Sequence, residues 1–294
     1  MSDKLRNLVV RTLSGAVLLA IVVAASLLGL KGFSSLLLLI IAIGVEEFYT
    51  LAKAKGAHPQ RNLGLITALS LFVAGCLVGC HAMKPCESEL VNMLFVLFGL
   101  IAVLGFASIF VVEVFRNKEN PMLNIASTVT GIIYVALPLT LMFFVPMLLA
   151  YIGGAEEWNP LIFLFYLFIV WGNDVFAYLV GITLGRHKMC ERLSPKKSWE
   201  GFFGGVVGAM VMGVVGALVV DGNPYIWLGL SIVVSLSSVV GDLVESMFKR
   251  DAGVKDSGNI LPGHGGILDR FDALILSAPF AFVYLLLVLV VKSL

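Results

Sequence analysis

The sequence predicts an all-α, polytopic membrane protein with about nine transmembrane helices, and three observations lead to this fold class. Apolar residues make up 59% of the chain and charged residues 13%, and the mean hydropathy is +1.00. Soluble chains carry about twice that charged fraction, so lipid must cover the apolar surface. Apolar runs of about 20 residues, the length that spans a bilayer, recur along the chain. The loops between them alternate between rich and poor in lysine and arginine.

The apolar runs can cross a bilayer only as helices, because backbone polar groups in lipid must be satisfied within the protein. The predicted spans are 8–30, 33–52, 63–82, 90–114, 124–152, 160–185, 202–220, 225–247 and 272–292. We interpret the first as a retained helix, since its apolar run is too long for a signal peptide and another span follows closely. We expect Pro138 to bend the fifth span.

Lysine and arginine predict which side of the membrane each loop faces. The N-terminal end through Arg11 and the loops 53–62, 115–123, 186–201 and 248–271 hold 17 of the 20 basic residues. Cytoplasmic loops carry the excess of such residues. The N-terminus and these loops are therefore expected in the cytoplasm, and the C-terminus outside. The net charge of +1 gives no reason to expect a nucleic-acid partner.

The first of two charged loops on the cytoplasmic side reads GRHKMCERLSPKKSWEGFFGG. Its Lys196, Lys197 and Ser198 precede a glycine-rich helix start, where free backbone N–H groups attract anions. A phosphate-binding role competes with a simpler one, in which the basic residues anchor the loop to lipid headgroups. The pattern of a Walker A loop is missing from this segment.

The eighth predicted span ends in an ionisable helix face. In SLSSVVGDLVESMFKR, Asp242, Ser246 and Lys249 recur at helical spacing, and Glu245 shares their face. An ionisable residue near the membrane surface is costly and by default indicates a functional site. An ion pair within the helix would explain one of these carboxylates but not the other.

The loop that follows combines charge with a flexible backbone. From Lys249 to Asp272, the sequence KRDAGVKDSGNILPGHGGILDRFD holds eight charged side chains and five glycines. Asp269 and Asp272 stand at a predicted helix start, where capping would account for one of them. His264 lies between glycines, and a lone loop histidine is usually only solvated.

Together these features favour phosphoryl or nucleotidyl transfer at the membrane surface. Carboxylates from two helix ends can converge on Mg²⁺, which is commonly held by one or two carboxylates plus substrate phosphates. Basic side chains can clamp a polyphosphate and its transition-state charge. A lipid substrate would give the enzyme a reason to be embedded in the membrane.

The same residues resemble the signature of the phosphatidate cytidylyltransferase family. The positions that carry the resemblance are Ser246, Lys249–Arg250, Lys255–Asp256, Leu261–Gly266, Asp269–Arg270 and Asp272. The segments SPKKSWEG at 194–201 and GNDVFAYLVG at 172–181 are also similar to that family. The resemblance covers about residues 165–275, and the N-terminal helices match only as hydrophobic spans.

The resemblance implies that CTP and phosphatidic acid react to give CDP-diacylglycerol and pyrophosphate, with Mg²⁺ as the cofactor. The lipid phosphate would attack the α-phosphorus of CTP in line. Families of this kind often form homodimers, although this sequence itself gives no sign of one. Within one integral membrane domain over 1–294, we expect N-terminal helices over 1–160 and catalytic helices with cytoplasmic loops over 161–294. The compact length and the lack of a targeting extension favour a bacterial inner membrane over an organelle.

On this resemblance, the candidate residues divide into three roles. Asp242 and Asp269 are expected to bind the metal. The other catalytic candidates, which would hold phosphates or orient the basic groups and water, are Lys249, Arg250, Lys255, Asp256, His264, Arg270 and Asp272. The substrate-binding candidates are Asn173, Asp174, Lys196, Lys197, Ser198, Glu200 and Ser246. For Asn173 and Asp174, a buried hydrogen bond between helices is an equally good account.

Two other functions stay open from the sequence. A CTP-dependent polyprenol or phytol kinase would share the nucleotide handling but would give CDP and a phosphorylated alcohol. A membrane transporter would use Glu46, Glu47 and Asp174 to line a pathway, although the charge concentrates in surface loops. A CDP-alcohol phosphotransferase is disfavoured, because its D-x-x-D-G-x-x-A-R run is missing.

Overall fold

The computed structural model describes residues 3–83, 88–155, 157–263 and 265–294. In these residues the chain forms nine apolar helical spans that are long enough to cross a membrane. The predicted all-α, polytopic membrane fold is therefore confirmed.

The helices are α1 (Asp3–Leu27), α2 (Gly29–Ala54), α3 (Arg61–Met83), α4 (Glu89–Arg116), α5 (Pro121–Gly131), α6 (Leu137–Ile152), α7 (Pro160–Leu184), α8 (Trp199–Val219), α9 (Pro224–Asp251) and α10 (Leu268–Ser293). Two short strands, β1 (Lys188–Cys190) and β2 (Ser194–Ser198), pair antiparallel between α7 and α8. This hairpin was not predicted from the sequence.

The fifth span is built from α5 and α6, joined by a wider turn. The joining segment, Ile132–Ala136, is π-helical. Pro138 follows it closely, and its ring removes the backbone donor that would bond to the carbonyl of Tyr134. Loss of that hydrogen bond accounts for the departure from α-helical geometry beside Pro138.

The chain divides into two compact units. Unit 1 comprises Met1–Phe143 and Phe248–Phe271, and unit 2 comprises Phe144–Met247 and Asp272–Leu294. The single domain expected over 1–294, with catalytic helices beginning near residue 161, stays a prediction.

The core of unit 1 forms around α2, which packs against α1, α3 and α5. Phe33, Leu37 and Ile41 recur every four residues along one face of α2 and are fully buried. Tyr49 continues this buried helix, and its hydroxyl donates a hydrogen bond of 2.9 Å to the carbonyl of Thr128 in α5. Apolar packing and this internal hydrogen bond together hold α2 at the centre of the unit.

A buried polar network in unit 1 ties the loop between α2 and α3 to α4 and α5. Glu113 accepts hydrogen bonds of 2.7 Å from the side chains of Gln60, Asn124 and Arg116. Asn124 Oδ1 in turn accepts the backbone N–H of His58 at 2.7 Å. A buried polar group that loses its partner costs on the order of 1–3 kcal/mol, so the network stabilises this end of the unit.

Replacing Glu113 with alanine would leave the buried amides of Gln60 and Asn124 without their shared acceptor. We expect Glu113→Ala to lower the free energy of unfolding by on the order of 3 kcal/mol, measured by denaturant unfolding in detergent micelles. Glu89→Ala, at an exposed position on the same helix, is the control and should change it by less than about 0.5 kcal/mol. Equal stability of the two variants would contradict a structural role for the network.

In unit 2, α7 and α8 pack closely because glycines line their contact. A Cβ atom at Gly205 would lie 2.7 Å from Asn173 Oδ1, and one at Gly201 would lie 2.7 Å from the carbonyl oxygen of Ala177. Real Cβ atoms do not come this close to other atoms, so glycine is what lets the two helices approach. The close packing brings Asn173 next to the start of α8.

Hydrogen bonds between helices hold α7 and α9 to α10 in unit 2. The hydroxyl groups of Tyr166 and Ser277 lie 2.8 Å apart in the buried core. Tyr284 donates a hydrogen bond of 3.0 Å to the carbonyl of Ile226 in α9. These contacts fix the helices whose ends carry the acidic residues of the candidate site.

Candidate active site

The basic loop 186–198 folds largely as the β hairpin that leads into α8. Lys188 of β1 pairs with Ser198 of β2. The Ser198 hydroxyl then caps α8 by accepting the backbone N–H of Gly201 at 3.2 Å. The hairpin and the cap fix the directions in which the lysines of this loop point.

Glu200 holds the beginning of the hairpin. Its carboxylate accepts the backbone N–H of Arg186 at 3.1 Å and that of His187 at 3.2 Å. The His187 ring lies 2.6 Å from the same carboxylate. The contacts of Glu200 are thus with its own loop, and its predicted contact with substrate stays a prediction.

A cavity of about 410 Å³, here called the lysine cavity, lies within unit 2 against the hairpin, α7 and α8. Its volume lies in the usual range for small-molecule sites. Its lining residues with polar side-chain groups are Asn173, Asp174, Tyr178, Lys188, Lys196, Lys197 and Ser198. Five of these seven are sequence-predicted candidates, whereas Tyr178 and Lys188 were not predicted. The short β1 strand turns Lys188 toward the cavity, and no motif marks that strand.

Asn173 and Asp174 line the lysine cavity, and the buried Asn173 also takes part in a hydrogen bond between helices. Ser235 of α9 donates to Asn173 Oδ1 at 2.6 Å. The Asn173 amide lies 3.5 Å from Asp174 Oδ1. Asn173 therefore joins α7 to α9, and the predicted contact of Asn173 and Asp174 with substrate stays a prediction.

Asp242 and Glu245 of α9 and Asp272 of α10 form an acidic cluster in unit 2. One carboxylate oxygen of each residue lies within 4.8 Å of the other two. Lys197 of the lysine cavity forms an ion pair with Asp242. Converging carboxylate oxygens are the ligands that hard divalent cations prefer.

Gly241 lets α9 and α10 come close enough to form the acidic cluster. A Cβ atom at this position would lie 2.7 Å from the carbonyl oxygen of Asp272 and 3.0 Å from the Cβ atom of Leu276. A larger residue would push the helices apart, because the backbone of α10 cannot yield as a flexible side chain would. Gly241 directly precedes Asp242 and therefore sets how near that carboxylate lies to Asp272.

Asp269 organises the glycine-rich loop in unit 1. Its Oδ2 atom accepts the backbone N–H of Ser257 at 2.8 Å, the Ser257 hydroxyl at 2.9 Å and the backbone N–H of Gly266 at 2.8 Å. Its Oδ1 atom accepts Lys249 Nζ at 2.6 Å. The Asp269 side chain is only 4% exposed. These are the contacts of a carboxylate that holds a loop together, and its predicted role as a metal ligand stays a prediction.

The glycines of this loop make its tight course possible. Gly263 and Gly265 have φ angles of +75° and +83°, which other residues rarely adopt. A Cβ atom at Gly265 would also lie 3.1 Å from Asp269 Cγ. His264, which was predicted to orient basic groups or water, lies outside the described residues.

Glu47 of α2 also holds this loop, and the sequence analysis did not connect the two. Its Oε1 atom accepts the backbone N–H of Ile267, and its Oε2 atom accepts that of Leu268, each at 2.9 Å. The Ser257 hydroxyl, which donates to Asp269, also lies 3.2 Å from Oε2. The first N–H groups of a helix have no partner within the helix, so Glu47 satisfies those at the start of α10. A role in a transport pathway finds no support in these contacts.

Removing the Glu47 carboxylate should loosen the loop while the helices stay formed. We expect Glu47→Ala to speed amide hydrogen exchange over residues 257–268 by about tenfold or more, because the backbone N–H groups of Ile267 and Leu268 lose their acceptor. Glu46→Ala removes a neighbouring carboxylate that pairs instead with Arg61 and is the matched control. Unchanged exchange in the Glu47 variant would show that the loop does not depend on this residue.

Two further candidates lie along the end of α9. Arg250 Nη1 donates to the carbonyl of Val254 at 3.2 Å and so closes the turn after the helix. Ser246 is half-buried and follows Glu245 directly. Their predicted contacts with substrate stay predictions.

The remaining candidates line a polar cavity in unit 1. Lys255, Asp256 and Arg270 surround a space of about 610 Å³, together with Arg11 of α1. A basic residue at the start of a span is expected at the membrane surface in any case. The sequence therefore could not single out Arg11 as part of a site.

Comparison with known proteins gives matches over nearly the whole chain. A model described as "Cytidylyltransferase family" matches residues 9–288. The chain is 31% identical to a phosphatidate cytidylyltransferase of Synechocystis sp., over 96% of this chain and 98% of that protein. It is 51% identical to the enzyme of the same name from Staphylococcus epidermidis, over 40% of this chain and 45% of that protein. With the Staphylococcus haemolyticus protein of that name it shares 45% identity, over 45% of this chain and 55% of that protein.

Proposed function

This chain belongs to the cytidylyltransferase family, and we propose that it transfers CMP from CTP to phosphatidic acid, giving CDP-diacylglycerol and pyrophosphate. Membership of the family confirms the predicted resemblance and the prediction of a nucleotidyltransferase. The choice of lipid substrate is supported by a relative named phosphatidate cytidylyltransferase that aligns over almost its full length.

The observation that carries the proposal is the position of Lys197 in unit 2. Lys197 lines the lysine cavity with Lys188 and Lys196 and also pairs with Asp242 of the acidic cluster. A nucleoside triphosphate held by these lysines would lie beside carboxylates that can hold a cation. Nucleotidyl transfer needs these two elements next to each other, because charge on the leaving pyrophosphate must be offset.

We infer that the acidic cluster holds Mg²⁺, with Asp242, Glu245 and Asp272 as ligands. Three carboxylate oxygens within 4.8 Å of one another fit a small hard cation. Carboxylates this close repel one another, and a cation between them would offset that repulsion. A bound Mg²⁺ would polarise the phosphates of CTP and offset charge on the leaving group. Asp269 as a further ligand stays a prediction from the sequence.

The residues of the chain itself would provide positioning and charge. Lys188, Lys196 and Lys197 would hold the triphosphate so that its α-phosphorus faces the lipid phosphate. An oxygen of that lipid phosphate would form the new bond to the α-phosphorus as the bond to the bridging oxygen breaks, and pyrophosphate would leave with the electron pair. A phosphate monoester is largely ionised twice at neutral pH, so its attack requires no separate general base. Orientation and charge stabilisation then account for most of the acceleration.

We place the reaction at the cytoplasmic face of a bacterial inner membrane, with the N-terminus inside and the C-terminus outside. The support is the concentration of 17 of the 20 basic residues in the loops of one side. An odd number of spans, nine in the described chain, would leave the two ends on opposite sides. The homodimer suggested by the family resemblance stays a prediction.

Purified protein in detergent micelles, given CTP labelled in its α-phosphate, phosphatidic acid and Mg²⁺, should transfer labelled CMP to the lipid. Chromatography of the lipid products measures this transfer directly. The same mixture with a polyprenol and γ-labelled CTP tests the kinase alternative. Phosphate transfer to the alcohol with release of CDP, and no CMP on the lipid, would contradict the proposal.

Variants of the carboxylates separate the metal site from the loop that Asp269 organises. We expect Asp242→Ala and Asp272→Ala to lower turnover by on the order of 1,000-fold, and the milder Glu245→Gln to raise the Mg²⁺ concentration needed for half-maximal rate. If Asp269 only holds the loop, Asp269→Asn should lower turnover without changing that concentration, whereas a higher Mg²⁺ requirement would identify Asp269 as a further ligand. Glu191→Gln, at an exposed position of the hairpin turn, is the control. A normal rate in the Asp242 variant would refute the assignment.

A further inference from the structure

We propose that the polar cavity of unit 1 binds the phosphate monoester head of the lipid substrate, and that Arg11 makes it select a doubly charged phosphate. This inference rests on the proposed function, because it assigns one of the two substrates of that reaction to a place. The cavity has a volume of about 610 Å³ and draws on three segments of the chain: α1, the glycine-rich loop and the start of α10.

The charge of this cavity fits a phosphate monoester better than a diester. Arg11, Lys255 and Arg270 supply three positive charges and Asp256 one negative charge, which leaves a net charge of +2. A phosphate monoester carries about −1.5 to −2 charges at pH 7, whereas a phosphate diester carries one. The cavity would therefore favour phosphatidic acid over the diester lipids that surround it in the membrane.

Contacts between α1 and the loop hold Arg11 at the cavity. Ser14, one turn after Arg11, donates a hydrogen bond of 3.0 Å to the carbonyl of Pro262. A Cβ atom at Gly263 would lie 2.8 Å from Arg11 Cγ, so glycine at this position leaves room for the arginine side chain. The guanidinium group is planar and can donate two parallel hydrogen bonds to one phosphate.

Part of this positive charge, that of Arg11 and Lys255, is available to a ligand. In the described parts of the chain, neither Arg11 nor Lys255 takes part in a salt bridge. Lys249, by contrast, lies 2.6 Å from Asp269 and is largely buried there. Two of the basic residues of the cavity are thus free to meet an anion that enters from outside.

The surface of α1 favours a lipid phosphate over a nucleotide phosphate at this cavity. Leu13, Val17 and Ile21 recur every four residues along α1 and are exposed by 61%, 57% and 48%. In a membrane this stripe contacts acyl chains. Arg11 lies near the start of the Val9–Leu27 span, at the depth where headgroups lie. A lipid lying along α1 would bring its phosphate to the level of Arg11.

Steady-state kinetics of Arg11→Gln distinguish the two sources of phosphate. We expect KM for phosphatidic acid in mixed micelles to rise about tenfold, because one charged hydrogen-bonding group is lost. We expect KM for CTP and kcat to stay within about twofold of the wild type. Arg11→Lys keeps the charge without the paired donors. Its KM for phosphatidic acid should lie between those of the wild type and Arg11→Gln. Lys118→Gln, an exposed basic residue on another cytoplasmic loop, should change neither KM.

A rise in KM for CTP instead of phosphatidic acid would assign the cavity to the nucleotide and overturn the proposal. Unchanged KM values for both substrates would overturn it as well.

Binding provides a test that does not depend on turnover. The protein is titrated, in the presence of EDTA, with micelles that contain either phosphatidic acid or phosphatidylglycerol. Wild-type protein should prefer phosphatidic acid, and Arg11→Gln should lose that preference. If the wild type binds in this way but transfers no CMP, the proposed function fails and the cavity assignment stands.

Discussion

Burying a carboxylate in an apolar protein costs several kcal/mol unless donors or a cation compensate it. In unit 1 three buried carboxylates meet this requirement by collecting donors from distant parts of the chain. Glu113 accepts a hydrogen bond from Gln60 in the loop between α2 and α3. Asp269 and Glu47 accept hydrogen bonds from the loop between α9 and α10. That second loop has no helix or named strand of its own in its described residues, and hydrogen bonds to these acids help to fix its shape.

The acidic residues of unit 2 are arranged differently. Asp242, Glu245 and Asp272 converge on one another, with Lys197 beside them. Such an arrangement concentrates like charge. The two patterns distinguish carboxylates that build a loop from carboxylates suited to hold a cation, although Asp269 of the first kind and Asp272 of the second are three residues apart.

Local spacing predicted part of this site well. The nine spans of the described chain follow from run length and hydropathy alone, and the shared face of Asp242 and Glu245 follows from helical periodicity. The hairpin could not be predicted in this way, because strands of three and five residues are too short to show an alternating pattern.

Long-range partners could not be predicted from spacing at all. Asp272 joins the acidic cluster only because Gly241 lets two helices approach, which is a property of their packing. Glu47 meets the start of α10 across a separation of 220 residues. Arg11 reaches its cavity through a contact between α1 and a turn near Pro262. The local sequence marks Asp272 and Glu47 as acids of interest but does not identify their partners, and it gives Arg11 no special place at all.

The dependence of Glu47 on α10 also bears on how the protein is made. The N–H groups that Glu47 accepts, from Ile267 and Leu268, are synthesised about 220 residues after it. Until α10 begins to form, the Glu47 carboxylate of a nascent chain lacks these donors. The end of α2 and the start of α10 can therefore reach their final arrangement only after the intervening helices have been made.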